Sequence, residues 1–283
     1  MYRVRDRRGD WVLKRTGLSR SLGGAIGRWC AAPRTGGVDV VAPAPHLRLN
    51  PRPDRDGVEW VVYPFVDGRT YAGTVPDIAA AGALLGAIHS ADSCAAAELA
   101  LVPEAVRRTP EWVLLHAARA AAALRGAGID ATGFERYVEQ RGRSGRAPTD
   151  LPIAGCSADF KASNLVYTAA PVLVDADHAA RMPRLYDLAT AALLFHNDLG
   201  SAPHRLWTRS EWRVFVAAYG TRVELTPSEY DAWPAVLSLA WLDQGVWLLG
   251  HFPEGWADPA EAAYLSDLAT SDLSQFDLLV EEG

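Results

Sequence analysis

Lysine is almost missing from this chain. Of its 28 basic residues, all but Lys14 and Lys161 are arginine. Cysteine is scarce as well: Cys30, Cys94 and Cys156 are odd in number and widely spaced, which argues against a disulfide framework and against a Cys-rich metal site. No apolar run reaches the ~18 residues that a membrane-spanning helix needs; the longest candidate, residues 233–252, is broken by Asp243 and Gln244. The opening segment MYRVRDRRGD carries charge at once and has no apolar stretch of the kind a signal peptide uses. A cytoplasmic protein with no membrane partner is therefore expected. Phosphate-loop, HExxH zinc and G-x-S-x-G nucleophile motifs are all absent, and LGGAIG (22–27) lacks the spacing of a dinucleotide fingerprint. The seven histidines are scattered, which disfavours a zinc site.

Charge is unevenly distributed. Residues 1–35 hold nine Arg or Lys against Asp6 and Asp10, whereas after Arg222 there is no basic residue and twelve Asp and Glu follow. The two ends are thus expected to face different partners, although for any single carboxylate of the tail a solvated helix face is the better reading. The basic head is short and lacks interleaved aromatics beyond Tyr2 and Trp11, so no nucleic-acid partner is expected.

The 283 residues, 49% hydrophobic and 22% charged, suffice for one large domain or two lobes around a shared cleft. Residues 2–5 and 11–15 read as strands joined by the turn RRGD. Residues 17–33 have helical spacing, 38–43 and 46–50 read as strand fragments, 50–57 as a loop, and VEWVVYPFV (58–66) as a strand. Apolar recurrence at i, i+3, i+4 then predicts helices over 77–91, 103–126, 132–141, 184–198, 208–220, 227–250 and 259–280. Between them, residues 151–179 read as loop, strand, turn, strand. The result is an α+β order of elements: a small β-rich part, a hinge, and a large helical part with one embedded hairpin.

The hairpin carries the chemistry. In CSADFKASN (156–164), Asp159 and Asn164 are five apart and Lys161 lies two after the aspartate. Eleven residues beyond Asn164, the strand PVLVD ends on Asp175. Phosphoryl transfer needs a carboxylate to position an attacking hydroxyl and oxygen ligands for Mg²⁺ on the nucleotide phosphates, and D-x-x-x-x-N followed by a further Asp is the kinase arrangement of those groups. Lys161 adds a cation near the transferred phosphoryl. Lysine is a compact charge suited to phosphate contact and arginine is not its equivalent, so its retention only at Lys14 (strand VLK) and Lys161 points the same way.

On these motifs the chain resembles the aminoglycoside phosphotransferase-like kinases, a family of small-molecule kinases with the bilobal protein-kinase fold. YRVRDRRGDWVLK resembles the second and third strands with the nucleotide-binding lysine, VVYPFVDGR the last N-lobe strand and hinge, and LGAIHSA the following L-x-x-L-H helix. SADFKASNLVY resembles the H-G-D-x-x-x-x-N loop, VLVDADHA the D-x-[DE] metal strand and PRLYDLA the next helix start. The resemblance implies an N-lobe over 1–66 and a helical C-lobe over 67–283 with the catalytic hairpin at 156–179. It implies Asp159 as catalytic base assisted by Lys161, Asn164 and Asp175 as Mg²⁺ ligands, and Asp177 as a further cleft acid. Asp187 would brace the loop, and Lys14, Tyr63 and Phe65 would contact ATP.

The chain departs from that pattern in three places. Ser157 stands at the loop His. No acidic residue lies between Asp10 and Asp39, so Lys14 is expected to lack the helix Glu that normally holds it. Only Met1 precedes Tyr2, so a truncated N-lobe is expected, without the first strand and phosphate-covering loop unless a protein partner completes it. The expected function is an ATP-dependent phosphotransferase acting on a hydroxyl of a small molecule or peptide. The acidic tail suits a cationic acceptor such as an aminoglycoside or a natural-product precursor. The alternative is a pseudokinase or kinase-like subunit that binds a partner protein or precursor peptide without independent catalysis.

Overall fold

The computed structural model describes residues 1–16, 20–35, 38–47, 50–91, 94–102, 110–144, 150–197, 199–251 and 253–278. Strands β1 (Tyr2–Asp6) and β2 (Gly9–Arg15) form the first hairpin. Its turn is built by Asp6, whose Oδ1 accepts from the backbone N–H of Arg8 and Gly9 at 2.8 and 3.1 Å. Gly9 holds φ 146°, a conformation only glycine adopts at little cost. With β3 (Arg52–Pro53) and β4 (Glu59–Pro64) these strands make an antiparallel sheet in the order β1-β2-β4-β3.

Register decides what this sheet shows to the rest of the molecule. Val12 pairs with Tyr63 and Lys14 with Val61. Because side chains alternate with period two, these four share one face. Val61 and Tyr63 are buried there, in a small apolar cluster with Val41 that also gathers Val12, Val66, Val172 and Val174. Lys14 is thus carried on the inner face, toward the helical lobe. Helix α1 (Arg20–Thr35) follows the sheet strand and buries Ile26, Trp29 and Cys30.

Residues 38–47 do not form the expected strands. Val40 makes an isolated bridge to Leu173, with Val41 N–H on the Leu173 carbonyl at 2.8 Å, and Ala44 N–H reaches Val62 at 2.8 Å. The segment is a strap between the sheet and the hairpin; Pro43 and Pro45 lack the donors a longer ladder requires. Residues 48 and 49 lie outside the described residues. Conversely, the expected loop at 50–57 contributes the two residues of β3.

The helical lobe comprises α2 (Val75–Ser90), α3 (Pro110–Gly126), α4 (Thr132–Ser144), α5 (Arg184–Leu194), α6 (Arg209–Gly220), α7 (Pro227–Ala240), α8 (Val246–His251) and α9 (Pro259–Thr270). Residues 103–109, expected as the first turns of α3, lie outside the described residues. Thr208 and Thr226 close capping boxes with Glu211 and Glu229 at the starts of α6 and α7. The helix expected over 227–250 is interrupted by a π turn, Trp241–Gly245, and that expected over 259–280 ends at Thr270. Two short sheets complete the lobe: β5 (Ile153–Cys156) with β8 (Ala180–Pro183), and the hairpin β6 (Leu165–Tyr167) with β7 (Pro171–Leu173). No described helix is long and apolar enough to cross a membrane.

Close packing of α2 on α6 sets the depth of the lobe. A Cβ on Gly82 would lie 2.2 Å from the Phe215 carbonyl oxygen, and one on Gly86 2.7 Å from that of Tyr219. Gly82→Ala is therefore expected to destabilise the fold by about 1–3 kcal/mol through overpacking. Gly133→Ala, where a Cβ meets nothing within 4 Å, is expected to be neutral or stabilising. Urea denaturation of the two variants reads the contrast.

Candidate active site

The hairpin region is anchored from below before it is aimed. Phe160 is fully buried in an aromatic cluster, with ring centroids 5.9 Å from Phe195 and 6.4 Å from Phe215. The backbone N–H of Ala162 donates to Phe195 at 2.8 Å. Buried Asp187, in the first turn of α5, accepts from Ser157 N–H at 2.9 Å and from the Ser157 hydroxyl at 3.2 Å. His89, at the end of α2, brings Nε2 to 3.1 Å from the same carboxylate, while its Nδ1 lies 3.0 Å from the Tyr219 hydroxyl. Ser157 thus spends its hydroxyl on the bracing acid, and the imidazole in this network comes from another element. Ala158 holds φ 56°, a left-handed conformation, at the position where the H-G-D motif has glycine.

These anchors turn Asp159 toward the interlobe side. Asn164, at the end of a 3₁₀ turn (Ala162–Asn164), donates through Nδ2 to the Asp159 carbonyl at 2.9 Å and to its Oδ2 at 3.0 Å. That turns its own Oδ1 away from Asp159. Lys161 Nζ lies 3.5 Å from Asp159 Oδ1. Burial raises the Asp159 pKa above the ordinary carboxylate value, against the opposing pull of Lys161 and the Asn164 hydrogen bond. Val174 N–H donates to the Asn164 carbonyl at 2.9 Å, so the strand end carrying Asp175 runs beside Asn164.

Lys14 reaches this strand end from the opposite lobe. Its Nζ donates to Asp175 Oδ2 at 2.6 Å and lies 3.0 Å from Asp177 Oδ2. No helix Glu stands beside Lys14, as expected, and its carboxylate partners are instead 161 and 163 residues away in sequence, where no local pattern shows them. Burial alone would lower the Lys14 pKa; the two carboxylates outweigh it and raise it. The Tyr63 hydroxyl donates to Asp177 Oδ1 at 2.8 Å. Phe65 is placed differently: its ring lies under the Arg3 guanidinium, 3.8 Å from centroid to carbon. The sequence-predicted residues therefore divide into a connected group, Asp159, Lys161 and Asn164, a second group, Lys14, Asp175, Asp177 and Tyr63, and outlying Phe65. Asp187 lies beneath the first group.

On the helical side, a cavity of about 940 Å³ opens onto Asp159 and Lys161. Its lining also includes Asp243, Gln244 and Trp247 from the π turn and α8, and Asp258 and Glu261 from the start of α9. Single positions of this lining were not legible as site residues; the signal that existed was the tail's lack of basic residues. Lys14, Asn164 and Asp175 are not among the walls, so Asp159 stands where the cavity meets the interlobe cluster.

The family model for the phosphotransferase enzyme family matches residues 1–236. The chain belongs to this family. As a phosphotransferase it shares its fold with an aminoglycoside phosphotransferase from Alicyclobacillus acidocaldarius subsp. acidocaldarius (15% identity, 94% of this chain and 84% of that one, TM-score 0.61). It is similar also to amicoumacin kinase in complex with AMP-PNP, Ca²⁺ and Ami (17% identity, 95% and 83%, TM-score 0.62). A third similar structure is spectinomycin phosphotransferase with ADP and spectinomycin (14% identity, 94% and 87%, TM-score 0.61). No curated protein matches the sequence. The phosphotransferase has the expected α+β, bilobal kinase-like architecture, with a small sheet lobe and a large helical lobe.

Left-handed backbone at a non-glycine residue costs roughly 1–2 kcal/mol, part of which alanine returns by restricting the unfolded chain. Ala158→Gly in this phosphotransferase is therefore expected to raise stability by about 0.5–1 kcal/mol. A midpoint shift to higher denaturant with unchanged slope checks it.

Proposed function

We propose that this phosphotransferase transfers the terminal phosphoryl group of ATP to a hydroxyl of a cationic small molecule, or of a basic peptide, seated in the helical-lobe cavity. The observation that carries the reading is that the cavity lined by Asp159 and Lys161 is lined also by Asp243, Asp258 and Glu261. The acids come from the segment of the chain without a basic residue. A cleft lined by one sign of charge concentrates ligands of the other, and Trp247 adds an aromatic face for an ammonium group. The similar proteins described as an amicoumacin kinase with AMP-PNP and a spectinomycin phosphotransferase with ADP support a nucleotide donor and a small-molecule acceptor.

In this reading Asp159 accepts a hydrogen bond, and then the proton, from the acceptor hydroxyl. The new oxygen–phosphorus bond forms as the bond from the terminal phosphorus to the bridging oxygen breaks, leaving ADP. Lys161 stabilises negative charge on the transferring group. Lys14 and Tyr63 belong to the nucleotide side of the cleft. Phe65, stacked under Arg3, is assigned to its rim. The Asn164 amide oxygen and the Asp175 carboxylate, on backbones joined by the Val174–Asn164 hydrogen bond, are hard oxygen donors of the kind Mg²⁺ takes. They would hold the metal, which when bound neutralises phosphate charge.

Asp159→Asn is expected to lower kcat by about 10²–10⁴-fold while thermal stability and ATP affinity stay close to those of the parent. Turnover is read by ADP release with a panel of amino alcohols, aminosugars and basic Ser-containing peptides against neutral sugars. Asp243→Asn is expected to raise KM for the amine-bearing acceptor with little change in KM for ATP. Preference for neutral acceptors, or ATP binding without turnover of any acceptor alone or with a protein partner, overturns the reading; the second result favours the partner-binding alternative.

A further inference from the structure

Lys14 faces two carboxylates that are not equivalent. Asp175 follows β7 and is the more open of the two, its side chain 25% exposed; its Oδ1 accepts only a long bond, 3.3 Å, from Asp177 N–H. Asp177 is 11% exposed and committed at both oxygens, Oδ1 to the Tyr63 hydroxyl on β4 and Oδ2 to Lys14 on β2. Lys14 and Tyr63 stand on the same inner face of the sheet, so Asp177 grips two adjacent strands of the N-lobe from a loop of the C-lobe.

The helix beside them offers nothing in its place. No carboxylate occurs between Asp10 and Asp39. What α1 turns toward the pair is Cys30, fully buried, whose thiol pKa is pushed up to about 12 by burial and then by the neighbouring Asp177 and Asp175 charges. A neutral thiol cannot pair with an ammonium.

We infer that Asp177 is the positioning residue of Lys14 in this chain, doing from the loop after β7 what a helix carboxylate would do from α1, while Asp175 remains available to metal. This rests on the reading of the interlobe cleft as the nucleotide site. It has a physical consequence: recruitment of Asp175 to a cation removes one partner of Lys14 and leaves the other, so the ammonium keeps its direction toward the phosphates. It also makes lysine positioning depend on the approach of the two lobes, since Asp177 and Lys14 sit on different ones.

The test measures ATP affinity by calorimetry, with and without Mg²⁺, in the full chain and in Asp177→Asn. Asparagine keeps the shape and can still accept from Tyr63, so the fold is expected to persist. Loss of the charge is expected to weaken ATP binding about ten- to a hundredfold, the usual effect of removing an outer carboxylate that orients a ligand-binding group. The loss is expected in the presence and absence of Mg²⁺ alike, with the acceptor KM unchanged. The double variant Asp177→Asn with Cys30→Glu, which returns the charge to α1, is expected to recover a large part of it. A second readout needs no nucleotide: with two lysines in the chain, the Lys14 ammonium gives one of two side-chain signals in lysine-labelled protein. Asp177→Asn is expected to speed its hydrogen exchange measurably over that of the parent. ATP affinity within twofold of the parent, or a loss seen only with Mg²⁺, overturns the inference and in the second case makes Asp177 a metal ligand. A parent chain that binds no nucleotide overturns the cleft reading instead, and unchanged Lys14 exchange in Asp177→Asn then overturns this inference separately.

Discussion

The carboxylate of Asp187 is the point on which the site rests. It is fully buried, and it takes hydrogen bonds from Ser157 of the loop and contacts His89 of α2 while standing on α5. An unpaired buried polar group costs about 1–3 kcal/mol, so each partner is obliged to stay in place once the carboxylate is interred. The loop backbone, two helices and, through Tyr219, a third helix are thereby referred to one atom group. The left-handed turn at Ala158 is tolerated because that framework over-determines it. Asp159 projects from the rigid side of the turn, and its direction is inherited from Asp187 without any contact between the two being required.

From that fixed point the site extends in two directions with different mechanics. Toward the cavity, positions are set by packed helices: Phe160 in the aromatic cluster, the α2–α6 contact at Gly82, and the π turn at Trp241–Gly245. A π turn inserts residues without ending the helix and is often found where a side chain must be re-aimed. Here it brings Asp243 and Gln244 to the cavity wall ahead of Trp247. Toward the sheet lobe, positions are set by few and polar contacts, Lys14 and Tyr63 on Asp175 and Asp177, with a small valine cluster beneath them. Close-packed interiors resist displacement, whereas an interlobe contact of this kind opens at low cost. The cavity side of the site is therefore the more rigid, and the interlobe side the more yielding.

The legibility of these parts in sequence follows the same division. Asp159, Asn164 and Asp175 lie within seventeen residues, on one loop and the strand after it, so spacing alone shows them. Period-two alternation places Lys14 on the inner face of β2. The absence of acid in α1 was legible, but the carboxylates that Lys14 does contact were not, because they come from the other lobe. Strands were expected at 38–43 from valine content, but their hydrogen bonds go to Leu173 and Val62, and only the tertiary structure tells such a strap from a ladder. The break at 241 was invisible because a π turn preserves the apolar pattern of the helix on either side.

Charge distribution ties the two directions together. Basic residues are densest in the sheet lobe and acids in the last quarter of the chain, and the fold brings acids from that quarter into the lining of the cavity that Asp159 lines. With Asp159, Asp243, Asp258 and Glu261 against Lys161 in its lining, the cavity would repel a polyphosphate that strayed into it and attract an amine. On the other side, Lys14 and the Arg3–Arg5–Asp10 cluster of the hairpin favour anions. The substitution of arginine for lysine everywhere except at Lys14 and Lys161 fits this layout, because a compact ammonium at each of those two positions can lie between a carboxylate and a phosphate, where a planar guanidinium would have to choose one orientation.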